Sequence, residues 1–190
     1  MNHGLIFPIK KSLKSLETLD RHDQTHNDIK PQNFLVKFKN GPNDLTQIQI
    51  VLTDFGMAGL DSKGGTPIFS SPECLANTER KYQPDIFSLG RVFLFVVLPK
   101  KLFLEFLFVP ISNQAAMDEI NDAIISEPIF HLISEMIKIK KRIGVQEIKN
   151  DLRKIKTFKA EITIKNISKI VRKYATTETK DYIHNIEKIS

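Results

Sequence analysis

The stretch that decides the fold is His26-Asn27-Asp28-Ile29-Lys30-Pro31-Gln32-Asn33, read together with Asp54-Phe55-Gly56 downstream. It sets a carboxylate, a cation and an amide at fixed offsets, then a second carboxylate backed by glycine. Between them, Phe34-Leu35-Val36-Lys37-Phe38 and Ile48-Gln49-Ile50-Val51-Leu52 are β-branched or aromatic runs of strand length. Asn40-Gly41-Pro42-Asn43-Asp44 separates the two runs and is dense in turn formers. The pattern predicts a hairpin with a loop longer than a two-residue turn. Asn33 stands at its entrance and Asp54 at its exit, so side chains far apart in sequence can converge on one ion.

The flanks read as helix. Ile9, Leu13, Leu16 and Leu19 recur at three- and four-residue steps among charged residues, the mark of one buried stripe over residues 9–20. Gln24 and Thr25, leading into the motif, predict at best a weak strand. Residues 57–71 are polar, contain glycine and lack periodicity, and read as a loop. Pro84-Asp85 suits a helix start, the proline in the first turn and the acid complementing the dipole. Ile86 to Val97 is apolar on nearly every face, which predicts a helix buried all round. Residues 115–125, 128–138 and 145–158 read as further helices, and 164–174 and 182–189 as short amphipathic ones.

A chain of 190 residues with 41% hydrophobic and 26% charged residues has the composition of one substantial globular domain. A single cysteine, Cys74, excludes an internal disulfide framework and reads as a small buried residue in a reducing compartment. The opening apolar run is too short for a secretory signal. Pro99, Lys100, Lys101 and Glu105 interrupt the most apolar region, 92–111, so no membrane span is expected. Of the formal net charge of +6, residues 138–190 carry +9 and the remainder −3. The basic character belongs to the tail, and its charges, spread through amphipathic helices, read as a solvated face before they read as a polyanion site. RNA or an acidic membrane is the competing reading of that tail, and deleting residues 159–190 separates the two.

Taken in order, these segments resemble the protein kinase family, serine/threonine type. The resemblance rests on the motif from His26 to Asn33, the Asp-Phe-Gly of residues 54–56, the docking-like segment Gly65-Thr66-Pro67-Ile68-Phe69-Ser70-Ser71-Pro72-Glu73, the helix start Asp85-Ile86-Phe87-Ser88-Leu89-Gly90, and Arg142 late in the chain. It implies ATP and Mg2+ as cofactors and a protein substrate. Asp28 matches the catalytic base and Lys30 the cation directed at the transferred phosphate; Asn33 and Asp54 match the metal ligands that also hold the nucleotide. Thr66 would bond Asp28 and Lys30 in substrate docking, His26 would pack under Asp28, Asp85 would hold the catalytic-loop backbone, and Glu73 would pair with Arg142.

The departures are informative. Asn27 stands where the family has arginine, so no guanidinium is available to clamp a phosphate on the following loop. Phe69 replaces tyrosine and Phe87 tryptophan. No glycine-rich phosphate loop, strand lysine or glutamate-bearing helix precedes residue 26. The expected fold is therefore mainly α with a small β-hairpin, a kinase-like carboxy-terminal lobe over 1–158 lacking its amino-terminal lobe, followed by a basic helical tail over 159–190. A further chain or segment would supply the missing lobe, and the upper edge of a lone lobe would be exposed and apolar. The expected location is cytoplasmic or nuclear. Two other readings compete: a non-catalytic pseudokinase-like module that binds protein partners, and a zinc hydrolase using His22 and His26, four residues apart. The second needs a continuing helix, which Asn27-Asp28 and Pro31 oppose, and a third ligand that the sequence does not offer.

Overall fold

The computed structural model describes residues 3–39, 41, 48–59, 65–76, 83–99, 102–104, 115, 119, 128–139, 141–155, 165, 169, 170 and 173, with the backbone alone for residues 3–8. Among these, the secondary structure is mostly helical with one two-stranded sheet. The elements in order are α1 (His3–Arg21), β1 (Phe34–Phe38), β2 (Ile48–Leu52), the short α2 (Pro72–Leu75), α3 (Pro84–Val97), α4 (Pro128–Met136) and α5 (Val145–Lys154). Most of the helices expected over 115–125 and 164–174, all of the one at 182–189, and residues 156–158 lie outside the described residues.

The apolar stripe of α1 buries Ile9, Leu13 and Leu16, and the helix packs on β2 and on α5. It begins upstream of the stripe, and Pro8 lies within its span. Glu17 joins α1 to α5 by accepting from Lys149 Nζ at 2.9 Å. At its other end, Gln24 N–H reaches Leu19 O and Asp23 N–H reaches Asp20 O, while Asp23 takes a left-handed φ of 49°. That is a Schellman cap with an aspartate where glycine is usual. No strand forms at Gln24 and Thr25.

The strands pair antiparallel, Phe34 opposite Leu52 through Phe38 opposite Ile48. Leu35 faces Val51 on the outer side, where both are exposed; Ile48 and Leu52 point the other way into the core. Burial on the core side thus comes from β2, through Ile48 and Leu52, whereas β1 is exposed from Leu35 to Phe38.

α3 buries Ile86, Phe87, Leu89, Val92 and Phe93. Its all-round burial fails near its end, where Phe95 is 39% and Val96 53% exposed. An apolar sequence states what a helix can bury, whereas the neighbouring elements decide what it does bury. Gly90 permits a close approach: a Cβ there would come within 2.8 Å of Ile137 Cγ2.

The chain divides into two compact units, Met1–Phe93 with Leu132–Phe158, and Leu94–His131 with Lys159–Ser190. The first holds the hairpin, the α1–α5 pair and every residue of the candidate site. In the second, Phe95 meets Phe103 edge-on with ring centroids 5.2 Å apart, and Leu94, Val97 and Phe130 are buried. No helix among the described residues is long and apolar enough to cross a membrane.

Asp23 generates a stability prediction. A non-glycine residue in the left-handed region carries a steric cost of the order of 1 kcal/mol, and the exposed Asp23 carboxylate makes no hydrogen bond in return among the described residues. Asp23→Gly is expected to raise the unfolding free energy by up to about 1 kcal/mol, read by urea denaturation. A loss of stability would contradict the capping role.

Candidate active site

The site is assembled by one carboxylate beneath it. Asp85, buried in the first turn of α3, accepts the backbone N–H of His26 at 2.6 Å and of Asn27 at 3.0 Å. Two adjacent amides turned toward one acceptor force the chain to reverse, and Asn27 takes a left-handed φ of 66°. Asparagine tolerates that conformation better than most side chains. Its amide then donates to Met57 O at 2.9 Å and Gly59 O at 2.7 Å, while Thr25 Oγ1 reaches the same Gly59 oxygen at 2.9 Å. The position without a guanidinium therefore fastens the start of the following loop directly to the motif.

His26 is fully buried. Its Nε2 lies 2.9 Å from Thr53 O, a group that can only accept, so the proton sits on Nε2 and Nδ1 accepts the Asp28 N–H at 3.3 Å. The ring meets Phe55 edge-on, centroids 4.9 Å apart. His22, by contrast, is exposed and bonds Thr18 O from its own helix. The two histidines share no face, which removes the zinc-hydrolase geometry.

Above this support the Asp28 carboxylate is held on both oxygens. Oδ1 accepts from Thr66 N at 2.9 Å and Thr66 Oγ1 at 2.8 Å; Oδ2 accepts from Lys30 Nζ at 2.6 Å and, more weakly, from Asn33 Nδ2 at 3.4 Å. Burial pushes the carboxyl up, but Lys30 and Thr66 outweigh it and leave Asp28 below the ordinary aspartate range. The carboxylate is thus ionised and fixed in direction. Gly65 lets the Thr66 segment come this close: its φ is 112°, and a Cβ there would meet Asn27 O at 2.5 Å.

Asn33 is buried beside Asp28, donating from Nδ2 to the Asp28 carbonyl at 2.8 Å, which leaves its amide oxygen available. The strand register sets Asn33 opposite Thr53, whose N–H and hydroxyl both donate to Asn33 O at 2.9 and 3.1 Å. Asp54 follows, exposed, with a left-handed φ of 63° ahead of the turn at Phe55–Met57. Two oxygen donors at the hairpin's mouth are hard ligands of the kind Mg2+ takes, with phosphates and waters completing its shell. Among the described residues no three His, Cys, Asp or Glu side chains cluster as a metal cage.

Glu73 and Arg142 pair through both carboxylate oxygens, Nη2 to Oε2 at 2.9 Å and Nη1 to Oε1. Both side chains are nearly inaccessible. Burial pushes Glu73 up, and Arg142 more than reverses this, holding it below the ordinary glutamate range. A cavity of about 250 Å³ behind Asp85, lined in part by Leu16, Leu19, Asp20, Asp23 and Ile86, includes none of Asp28, Lys30, Asn33 or Asp54. Three contributors escaped the sequence reading: the Thr53 carbonyl under His26, the Asn27 amide on the loop, and Arg91, which donates to Ile68 O at 3.0 Å. Of these, only the placement of Thr53 between a strand and Asp54 gave a signal.

Comparison with known proteins matches residues 5–152 to the protein kinase domain family. The chain is similar to serine/threonine-protein kinase max-2 of Caenorhabditis elegans, 36% identical over 89 residues that cover 43% of this chain and 12% of that protein. It is similar to the carbon catabolite-derepressing protein kinase of Candida tropicalis, 26% identical over 183 residues, or 79% of this chain and 27% of that one. It is also similar to serine/threonine-protein kinase ATG1 of Pichia angusta, 28% identical over 176 residues, 80% of this chain and 22% of that one. The chain thus spans well under a third of the length of each of these relatives.

Two predictions follow from the buried pair and the held carboxylate. Arg142→Met leaves Glu73 buried without its cation and is expected to cost about 3–5 kcal/mol, whereas Glu73→Gln combined with Arg142→Met should cost less than Arg142→Met alone. Asp28 and Glu73 are both depressed in the folded state, so folding favours their ionised forms. The stability they contribute is complete above their ordinary values of 3.8 and 4.5 and is lost as pH falls through the lower folded values. Urea unfolding as a function of pH reads this directly; a Glu73→Gln/Arg142→Met chain with the same acid slope as the parent would exclude the pair as a source.

Proposed function

This chain belongs to the protein kinase family, and from that premise we propose that it transfers the γ-phosphate of ATP to serine or threonine hydroxyls of proteins. The observation that carries the reading is the Asp28 carboxylate, ionised and held on both oxygens by Thr66, Lys30 and Asn33. In this reading Asp28 orients the acceptor hydroxyl and takes its proton as the new P–O bond forms and the bond to the β-phosphate breaks. Lys30 shifts from Asp28 toward the migrating phosphoryl group and offsets its charge. The Asn33 amide oxygen and the Asp54 carboxylate would hold Mg2+, which when bound neutralises the phosphate oxygens. Thr66 positions the acceptor segment, and His26, Asp85, Glu73 and Arg142 keep the loop and the segment in register.

The reading extends to the architecture. Residues 1–158 form a carboxy-terminal lobe and 159–190 a basic tail. Leu35 and Val51, exposed on the outer face of the hairpin, together with Phe55 at 50% exposure, support a further segment or chain closing over the nucleotide. The partner of the site is a protein substrate, in the cytoplasm or nucleus, and the solvated tail is not used for nucleic acid.

The test is phosphoryl transfer from labelled ATP with Mg2+ to a generic protein acceptor by the full chain. Asp28→Asn keeps the size and loses the base, and is expected to lower kcat by about 10²–10⁴-fold while the fold, read by circular dichroism, persists. Equal activity in the two proteins would refute the role of Asp28. Absence of both transfer and ATP–Mg2+ binding in the parent would favour a non-catalytic module that binds protein partners.

A further inference from the structure

The turn that follows Thr66 is fastened to Asp28 at one end, and Arg91 of α3 fastens it at the other. Arg91 lies one helical turn beyond Phe87, and its guanidinium sits over the Phe87 ring at 5.0 Å. Its Nη1 donates to Ile68 O at 3.0 Å. Burial lowers its pKa from an ordinary 12.5 to about 10, which leaves it charged at neutral pH. A hydrogen bond from a charged donor is roughly twice as strong as one between neutral groups. The ring fixes where the guanidinium lies, and the planar guanidinium fixes which way its N–H groups point.

What that bond controls follows from the geometry of one peptide unit. The Ile68 carbonyl and the Phe69 N–H belong to the same plane and, in a trans peptide, point in opposite directions. The carbonyl is bound to Arg91, and the Phe69 N–H donates to Thr66 O at 2.9 Å. The plane is therefore held at both ends, once by α3 and once by Thr66. Ser70 adds two further donors to Thr66 O, its N–H and its hydroxyl, both at 3.0 Å. Pro67 and Ile68 form the exposed crest of the turn, whereas Phe69 and Ser70 are buried. A crest open to solvent relies on hydrogen bonds rather than packing to keep its peptide from rotating. A rotation that frees the Ile68 carbonyl also withdraws the Phe69 N–H from Thr66, the residue whose own N–H and hydroxyl hold Asp28 Oδ1.

We infer that Arg91 is a positioning residue for the acceptor substrate: it sets the Ile68–Phe69 peptide and, through it, the turn against which the acceptor segment lies. This rests on the kinase reading above and adds to it a residue on α3 that acts through Thr66. Without the bond, only a fraction of molecules present the competent turn, and the apparent affinity for the acceptor falls by that fraction. Saturating acceptor draws the turn back, so kcat is preserved. Asn33 and Asp54, assigned above to the metal and nucleotide, take their places from the hairpin, so the KM for ATP is unchanged.

The experiment compares the full chain with Arg91→Met, which removes the donors but keeps an unbranched apolar side chain, and with Arg91→Lys, which keeps a charged donor. Phosphoryl transfer to a peptide with one serine acceptor gives kcat and KM. Arg91→Met is expected to raise the peptide KM by roughly five- to tenfold, the worth of one hydrogen bond. Its kcat and its KM for ATP should stay within about twofold of the parent, and Arg91→Lys should lie between the two proteins in peptide KM. Amide hydrogen exchange, read by NMR, is independent of transfer. In Arg91→Met the Phe69 and Ser70 amides should exchange faster, while those of His26 and Asn27, bound to Asp85 on the same helix, keep the parent's rates. An unchanged peptide KM, a matching rise in the KM for ATP, a fall in kcat alone, a lysine variant no better than methionine, or unaltered exchange at Phe69 and Ser70 each overturn the inference. So does faster exchange at all four amides, which makes Arg91 an ordinary packing residue of α3. No transfer by the parent, alongside selective exchange at Phe69 and Ser70, overturns the kinase reading and leaves the brace on the turn standing.

Discussion

Everything at the site hangs from the Asp85 carboxylate. Backbone amides are obligatory donors, and a turn buried under a sheet has few acceptors to offer them. By placing a carboxylate at the first turn of its longest interior helix, the chain satisfies two consecutive N–H groups at His26 and Asn27 with one side chain. Charge-assisted bonds to backbone amides are among the stronger hydrogen bonds available. They convert an irregular stretch into a rigid one, and the directions of the His26 ring, the Asn27 amide and the Asp28 carboxylate follow from it. α3 is in turn anchored by its apolar flank and by the close approach at Gly90.

A second constraint works from above. Strand register is quantised, and a slip by one residue would turn every side chain of β2 to the wrong face. With Phe34 opposite Leu52, Asn33 is brought beside Thr53, and Asp54 is delivered to the hairpin's mouth. Thr53 links the two constraints, donating twice to Asn33 O while its own carbonyl accepts from His26. The helix-borne carboxylate and the sheet-borne register thus meet at one buried imidazole.

The sequence made much of this legible, unevenly and for physical reasons. The β-branched and aromatic runs, with turn formers between them, specified the strands, because such side chains suit extended backbone. Asp28, Lys30 and Asn33, singled out by spacing, and Thr66, singled out by the family resemblance, do gather around the Asp28 carboxylate. What composition could not convey was burial that depends on neighbours. Phe95 and Val96 read as core and are exposed. Arg91 drew no reading from the sequence, yet its guanidinium lies over the Phe87 ring and donates to Ile68 O. At Asn27 the sequence records an absent guanidinium, whereas the bonds to Met57 and Gly59 depend on a left-handed backbone imposed by a carboxylate far along the chain.

That anchoring by Asn27 has a consequence for the conditions under which the loop stays in place. An amide donating to two carbonyls involves no net charge on either side. Ion pairs that tether a loop weaken as ionic strength rises, because mobile ions screen them over a Debye length of about 8 Å at physiological salt. A neutral tether has nothing to screen. The bonds from Asn27 to Met57 and Gly59 are therefore little affected by salt, and respond instead to whatever disturbs the backbone turn at Asn27 itself.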